Sequence, residues 1–134
     1  MKPRNRRKIE IGSERGQSLT EFALALPILA LLLFAVIQFG IVFNNYVTLT
    51  DATRAGARKA AVGRRLQDPN SATIKAVRDS ATDLNQSDLN VTVTSTWRPA
   101  SDVKVTATYP YRISLMGMVV KSGRLSSTTT ERVE

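Results

Sequence analysis

From Phe22 to Thr50 the chain contains no Asp, Glu, Lys or Arg, and this silence constrains the fold more than any other feature. Its core, Phe22-Ala-Leu-Ala-Leu-Pro-Ile-Leu-Ala-Leu-Leu-Leu-Phe-Ala-Val-Ile-Gln-Phe-Gly-Ile-Val-Phe43, supplies the roughly 20 apolar residues a helix needs to cross hydrocarbon. A chain of 134 residues has room for one small domain and an anchor, but not for two independent cores. The run is therefore expected to span a membrane, at about residues 22–43. Pro27 removes a backbone donor and leaves the carbonyl of Ala23 without its usual partner, so a kink is expected near the first turns. Gln38 and Gly40 fit an interfacial amide and a close helix contact.

The segment before the run is polar, basic and without apolar periodicity. Lys2, Arg4, Arg6, Arg7, Lys8 and Arg15, offset by Glu10 and Glu14, carry a net +4, half of the +8 of the whole chain. A secretory signal places its apolar region ahead of a small-residue cut site and loses it on processing. Here the small residue, Gly16, comes first, and a cut after it would leave the anchor on the product. The basic group lies closer to the apolar edge than Arg54, Arg58, Lys59, Arg64 and Arg65 on the far side, which favours an N-terminus on the cytoplasmic side.

Cysteine and histidine are both absent. That inventory removes thiolate nucleophiles, disulfides, Ser/His triads and the usual zinc sites, so neither an enzyme nor a cofactor or metal is expected. The positive charge is not interleaved with aromatic residues after the leader, and no nucleic-acid partner is expected.

Glu21, at the lip of the span, has two readings. It is a helix-start acid favoured by the positive end of the macrodipole, or it is an assembly device. A cut after Gly16 would give Gln17 a free α-amine one helical turn from Glu21. In a dry bundle of packed anchors each charge would need the other.

A basic leader ending in Gly16, followed by Glu21, Phe22 and an apolar helix, resembles a type IV prepilin. More narrowly, Gly16-Gln17-Ser18-Leu19-Thr20-Glu21-Phe22-Ala23-Leu24-Ala25-Leu26-Pro27 resembles the opening of TadE-like proteins, minor pilins or pseudopilins of tight-adherence (Flp, type IVc) pilus systems. Thr50-Asp-Ala-Thr-Arg-Ala-Gly-Ala-Arg-Lys-Ala-Ala61 is similar to that family's Ala-Arg-x-Gly-Ala-Arg segment. The resemblance implies cleavage between Gly16 and Gln17 by an aspartyl prepilin peptidase, subunit assembly through Glu21 and Phe22, and other pilins and pilus assembly machinery as partners. It implies residence in the bacterial cytoplasmic (inner) membrane and entry of the retained helix into an extracellular pilus or its assembly complex. The alternative is an unprocessed single-pass protein displaying an extracytoplasmic binding module.

Beyond the span, Leu49, Ala52, Gly56 and Ala60 recur at helical spacing, with Arg54, Arg58 and Arg65 on another face. The small stripe packs under the chain's own sheet or helix, or meets another subunit. Gly63 marks a helix C-cap. Asn70 or Ser71 is available to cap a short helix whose stripe is Ile74, Val77, Ala81 and Leu84. Asp83–Asn90 has a faint likeness to a calcium loop, but Asp88 replaces the needed Gly and Thr94 the needed Glu, leaving a polar connection.

Val91, Val93 and Trp97 alternate with threonines, as do Val103, Val105, Ala107 and Tyr109 with Lys104, Thr106 and Thr108, predicting a hairpin ended by Pro110. Trp97 is a core residue or a recognition aromatic. Ile113–Val120 is expected as a short helix or an apolar crossover, with Met116 and Met118 filling gaps. Arg124–Val133 is expected as a polar edge strand. The expected organisation is a leader at 1–16, a transmembrane and stalk helix at 17–65, and an extracytoplasmic α+β head at 66–134. That head holds one short helix and a three-stranded antiparallel sheet.

Overall fold

The computed structural model describes residues 13–115 and 117–134; the leader before Ser13, and Met116 with its expected packing role, lie outside the described residues. Helix α1 covers Ser13–Ala61 and α2 covers Pro69–Ser80. Strands β1 (Asn90–Ser95), β2 (Asp102–Leu115) and β3 (Met118–Arg132) follow. They form one antiparallel sheet in the order β1-β2-β3. The α+β class, the long apolar helix, the single short helix and the three strands are as expected from the sequence. Two compact units emerge, one ending at Val36 and the other comprising Ile37–Glu134.

In the first unit α1 continues through Pro27 and leaves its large apolar side chains exposed, among them Phe22 at 60%, Leu24 at 70% and Leu32 at 62%. Among the described residues nothing covers them. A helix in water with apolar residues on every side would be unstable, so their cover must come from lipid or from other helices.

In the second unit the same helix changes character. Leu49, Ala52, Thr53, Gly56, Ala57 and Ala60 form a buried stripe at three- and four-residue spacing. The opposing surface comes from Val77 of α2 and from Val103, Val105 and Ala107 of β2, with Leu84, Leu89 and Val133 completing the core. Burying each such Val or Leu side chain contributes about 1.5–3 kcal/mol relative to exposure. The small stripe is thus packed within its own chain. A Cβ on Gly56 would run into Val77 and would lie 3.5 Å from both the Thr73 carbonyl and Val105.

One polar residue is admitted to this stripe. The Thr53 hydroxyl donates to the Thr50 carbonyl at 2.8 Å and accepts from Thr129 at 3.2 Å, with Ser127 at 3.0 Å. One donor and two acceptor positions are thereby all used, which makes a buried hydroxyl tolerable. These bonds tie β3 to α1. At the far end, Glu134 N–H donates to the Ala61 carbonyl at 2.9 Å.

Several expectations need correction. The N-cap of α2 is Asp68, not Asn70 or Ser71: its carboxylate accepts from Ser71 N–H at 3.0 Å, and Pro69 takes the first helical position, where a missing N–H costs nothing. The helix ends at Ser80, although Leu84 remains buried beyond it. Gly63 does not take the left-handed cap conformation; it is a glycine for room, because a Cβ there would sit 2.8 Å from the Lys59 carbonyl. Positive φ falls instead on Trp97 (54°) and Ala100 (61°) in the β1–β2 connection, where Trp97 packs partly buried against the core.

The largest departure concerns Pro110. It does not end β2, which continues to Leu115, and Ile113–Val120 is neither helix nor crossover but the two sides of the β2–β3 turn. β1 pairs with β2 only as far as Asn90 opposite Thr108, so at Pro110 one side of β2 is open and a residue without N–H breaks no ladder bond there. Met118, expected to fill a gap, is 71% exposed.

The Asp68 cap also sets a pH response. Hydrogen bonds from the Ser71 hydroxyl, then from the Ser71 and Asn70 backbone, hold its carboxyl below the ordinary value of 3.8. A depressed folded-state pKa gives stability that is present above the unfolded value and lost as pH falls through the folded one. The thermal midpoint is therefore expected to fall on acidification below about pH 4, with Asp68→Asn flattening that part of the profile; identical profiles would refute the contribution.

Candidate functional site

The residues singled out for processing and assembly all lie on the first turns of α1. Gly16 is the fourth residue of α1, one turn in from Ser13. Thr20 donates its hydroxyl to the Gly16 carbonyl at 2.9 Å. One turn on, Gln17 Nε2 donates to Glu21 Oε1 at 3.1 Å. Residues 16–22 are exposed, Phe22 included.

The i,i+4 geometry of a helix brings positions 17 and 21 to one face, where their side chains meet. Glu21 is the ninth residue of α1 as described, beyond the first turn in which the helix dipole acts on a carboxylate. Gly16 and Gln17 are exposed, and apart from the chain neighbours and the local helix backbone no atom of the described residues lies within 4 Å of where a Cβ on Gly16 would be. Pro27 follows inside the same continuous helix.

The polar connection after α2 is organised by a cation of the chain itself. The Arg78 guanidinium donates to the carbonyls of Gln86 at 2.8 Å and Leu89 at 3.3 Å, while Asn85 donates to Asp88 at 3.0 Å. Of the oxygens that the faint calcium pattern would direct at an ion, the Leu89 carbonyl is directed at Arg78 and Asn85 Oδ1 accepts from the Ser87 N–H and hydroxyl. Among the described residues no three His, Cys, Asp or Glu side chains group as metal ligands.

Two features escaped the sequence reading. The Thr53, Ser127 and Thr129 hydroxyl cluster joins residues far apart in the chain, and only the position of Thr53 between Leu49 and Ala57 on the helical stripe could have flagged it. The exposed apolar turn at Met118–Val120 was legible as apolar but not as protruding.

The fold and these residues define a single-chain α+β protein whose N-terminal helix is long and apolar enough to cross a membrane. Residues 16–58 match the family model described as TadE-like protein, the family that the sequence resembles. No curated protein and no solved structure matches the chain.

Proposed function

We propose that this protein is a minor pilin, or pseudopilin, of a tight-adherence (type IVc) pilus. The observation that carries the reading is the TadE-like match over residues 16–58, which starts at the residue expected to precede the cut. In this reading the basic leader stays in the cytoplasm and the span at about 22–43 holds the precursor in the inner membrane. A prepilin peptidase cleaves between Gly16 and Gln17. The head is presented on the other side, and the retained helix moves from lipid into a bundle of pilin helices.

Cleavage requires the Gly16 carbonyl to leave its hydrogen bond with Thr20. A terminal helical turn opens at little cost, and glycine lowers that cost further. After cleavage the α-amine of Gln17 lies one turn from Glu21, and the Gln17–Glu21 contact at 3.1 Å supports the two positions serving as a pair. Phe22 and Pro27 then shape the apolar surface just beyond the pair.

Intact-mass analysis of the protein extracted from membranes of cells that contain the peptidase is expected to find a chain starting at Gln17. A chain still starting at Met1 would sink the proposal. The same spectrum reads whether Gln17 has cyclised with loss of ammonia, which would remove the amine and with it the charge pair while leaving the cleavage intact.

A further inference from the structure

We propose that the end of the β2–β3 ribbon is a second membrane-docking element, seating on a bilayer surface that carries anionic headgroups. β1 stops pairing with β2 at Thr108, yet β2 and β3 continue together from Pro110 opposite Arg124 to Leu115 opposite Met118. A two-stranded ribbon is marginal in water by itself, and this one ends in apolar residues. Met118, Val119 and Val120 are 71%, 58% and 67% exposed. The register shift between Ile113 and Ser114 breaks the alternation, so that Val119 pairs with Ser114 on one face and Met118 with Leu115 on the other. Gly117, at φ 87°, makes the turn. Apolar side chains therefore surround the tip instead of lining one face.

Charge selects the partner. Between Val103 and Thr130 there is no carboxylate, whereas Lys104, Arg112, Lys121 and Arg124 are present. Arg112 and Arg124 share one face of the ribbon and Lys121 lies on the other, all exposed and all behind the apolar tip. Asp88 lines the grooves at the ribbon's base with Pro110, Arg112 and Arg124, but among the described residues none of Arg112, Lys121 and Arg124 makes an ion pair. An apolar tip backed by cations matches an interface in which acyl chains lie beneath phosphates. A second copy of the same tip would meet it with like charge. The open strand edges limit entry to the headgroup boundary, because unpaired backbone cannot enter hydrocarbon.

The ribbon also points the right way and is stiff enough to act. Within the Ile37–Glu134 unit, Ser127 and Thr129 lie at Thr53 and Glu134 lies at Ala61, so β3 runs in the same sense as the helix beside it. Tracing β3 back from Ser127 to Met118 therefore leads toward the uncharged Ile37–Phe43 end of that helical segment. Tyr111 covers Gly123 across the ribbon, where a Cβ would lie 2.9 to 3.1 Å from the ring atoms and hydroxyl. Such an aromatic over a strand glycine pins the register. The inference needs α1 to be embedded in a bilayer; it is independent of whether Gly16 is cut.

The absence of cysteine makes a direct test possible. The full chain with Val119→Cys, labelled with an environment-sensitive fluorophore, is reconstituted into vesicles of phosphatidylcholine alone or with phosphatidylglycerol, with labelled Thr94→Cys as the control. Val119 is expected to blue-shift and resist an aqueous quencher only in the anionic vesicles, and Thr94 to stay unshifted in both. Changing Arg112, Lys121 and Arg124 to Gln should lower the docked-to-undocked ratio about fivefold per charge. An unshifted Val119 in anionic vesicles, or an equal shift in both lipids, overturns the proposal. So does a shift that grows with protein-to-lipid ratio, which would make a second copy the occupant.

Discussion

Gly56→Val is expected to lower the thermal midpoint of the Ile37–Glu134 unit by roughly 10–20 °C, the shift that about 2–3 kcal/mol of overpacking produces in a domain of this size. Elsewhere on a helix, replacing glycine raises helix propensity and stabilises by up to about 1 kcal/mol. Here the sign reverses. The first added carbon meets the Val77 side chain, and the Thr73 carbonyl and Val105 at 3.5 Å close the remaining directions. The strain cannot be relieved by one rotamer, so α2 must move off α1 and uncover the core that the two helices share with β2. Circular dichroism of the full chain in detergent, followed through loss of the strand signal, reads the effect. A midpoint within a few degrees of the parent would show that the packing is looser than this geometry requires.

Glu21→Gln is expected to insert normally and yet to be depleted from assembled pilus material by roughly a hundredfold or more. Removing one member of a buried charge pair costs about 3–5 kcal/mol, because the other charge is left in a dry environment without its partner. The glutamine keeps size and hydrogen bonding and loses only the charge. Membrane and sheared-filament fractions separate the two steps, insertion and assembly. Equal yields of variant and parent in the filament fraction would mean that Glu21 is only an exposed acid of α1. Glu21→Asp, which keeps the charge on a shorter arm, should recover part of the assembly.

Legibility in the sequence followed the range of the interactions involved. The apolar run, the small stripe Ala52, Gly56, Ala60 and the alternating strands around Val93 and Val105 are written in local periodicity, and each forms the expected element. The candidate processing residues were legible from their order before the span, and the helix brings Gln17 and Glu21 together simply because they are four apart. The ribbon was not. Ile113–Val120 is a short apolar run, and such runs fit a helix, a crossover or a strand equally well until pairing partners are known. Pro110 misled for a related reason, since proline excludes a strand interior but not a strand whose neighbour has ended.

What the sequence determined by itself is the uncharged run from Phe22 onward, preceded by Gly16 and Glu21, because chemistry and spacing along one helix need no distant partner. The tertiary structure decided the rest. It placed Thr53 against Ser127 and Thr129, made Gly56 a point of contact instead of a weak helical residue, and carried β2 and β3 past β1 into an apolar, cationic tip. Each depends on which residues meet across long separations in the chain, and side-chain periodicity carries no record of that.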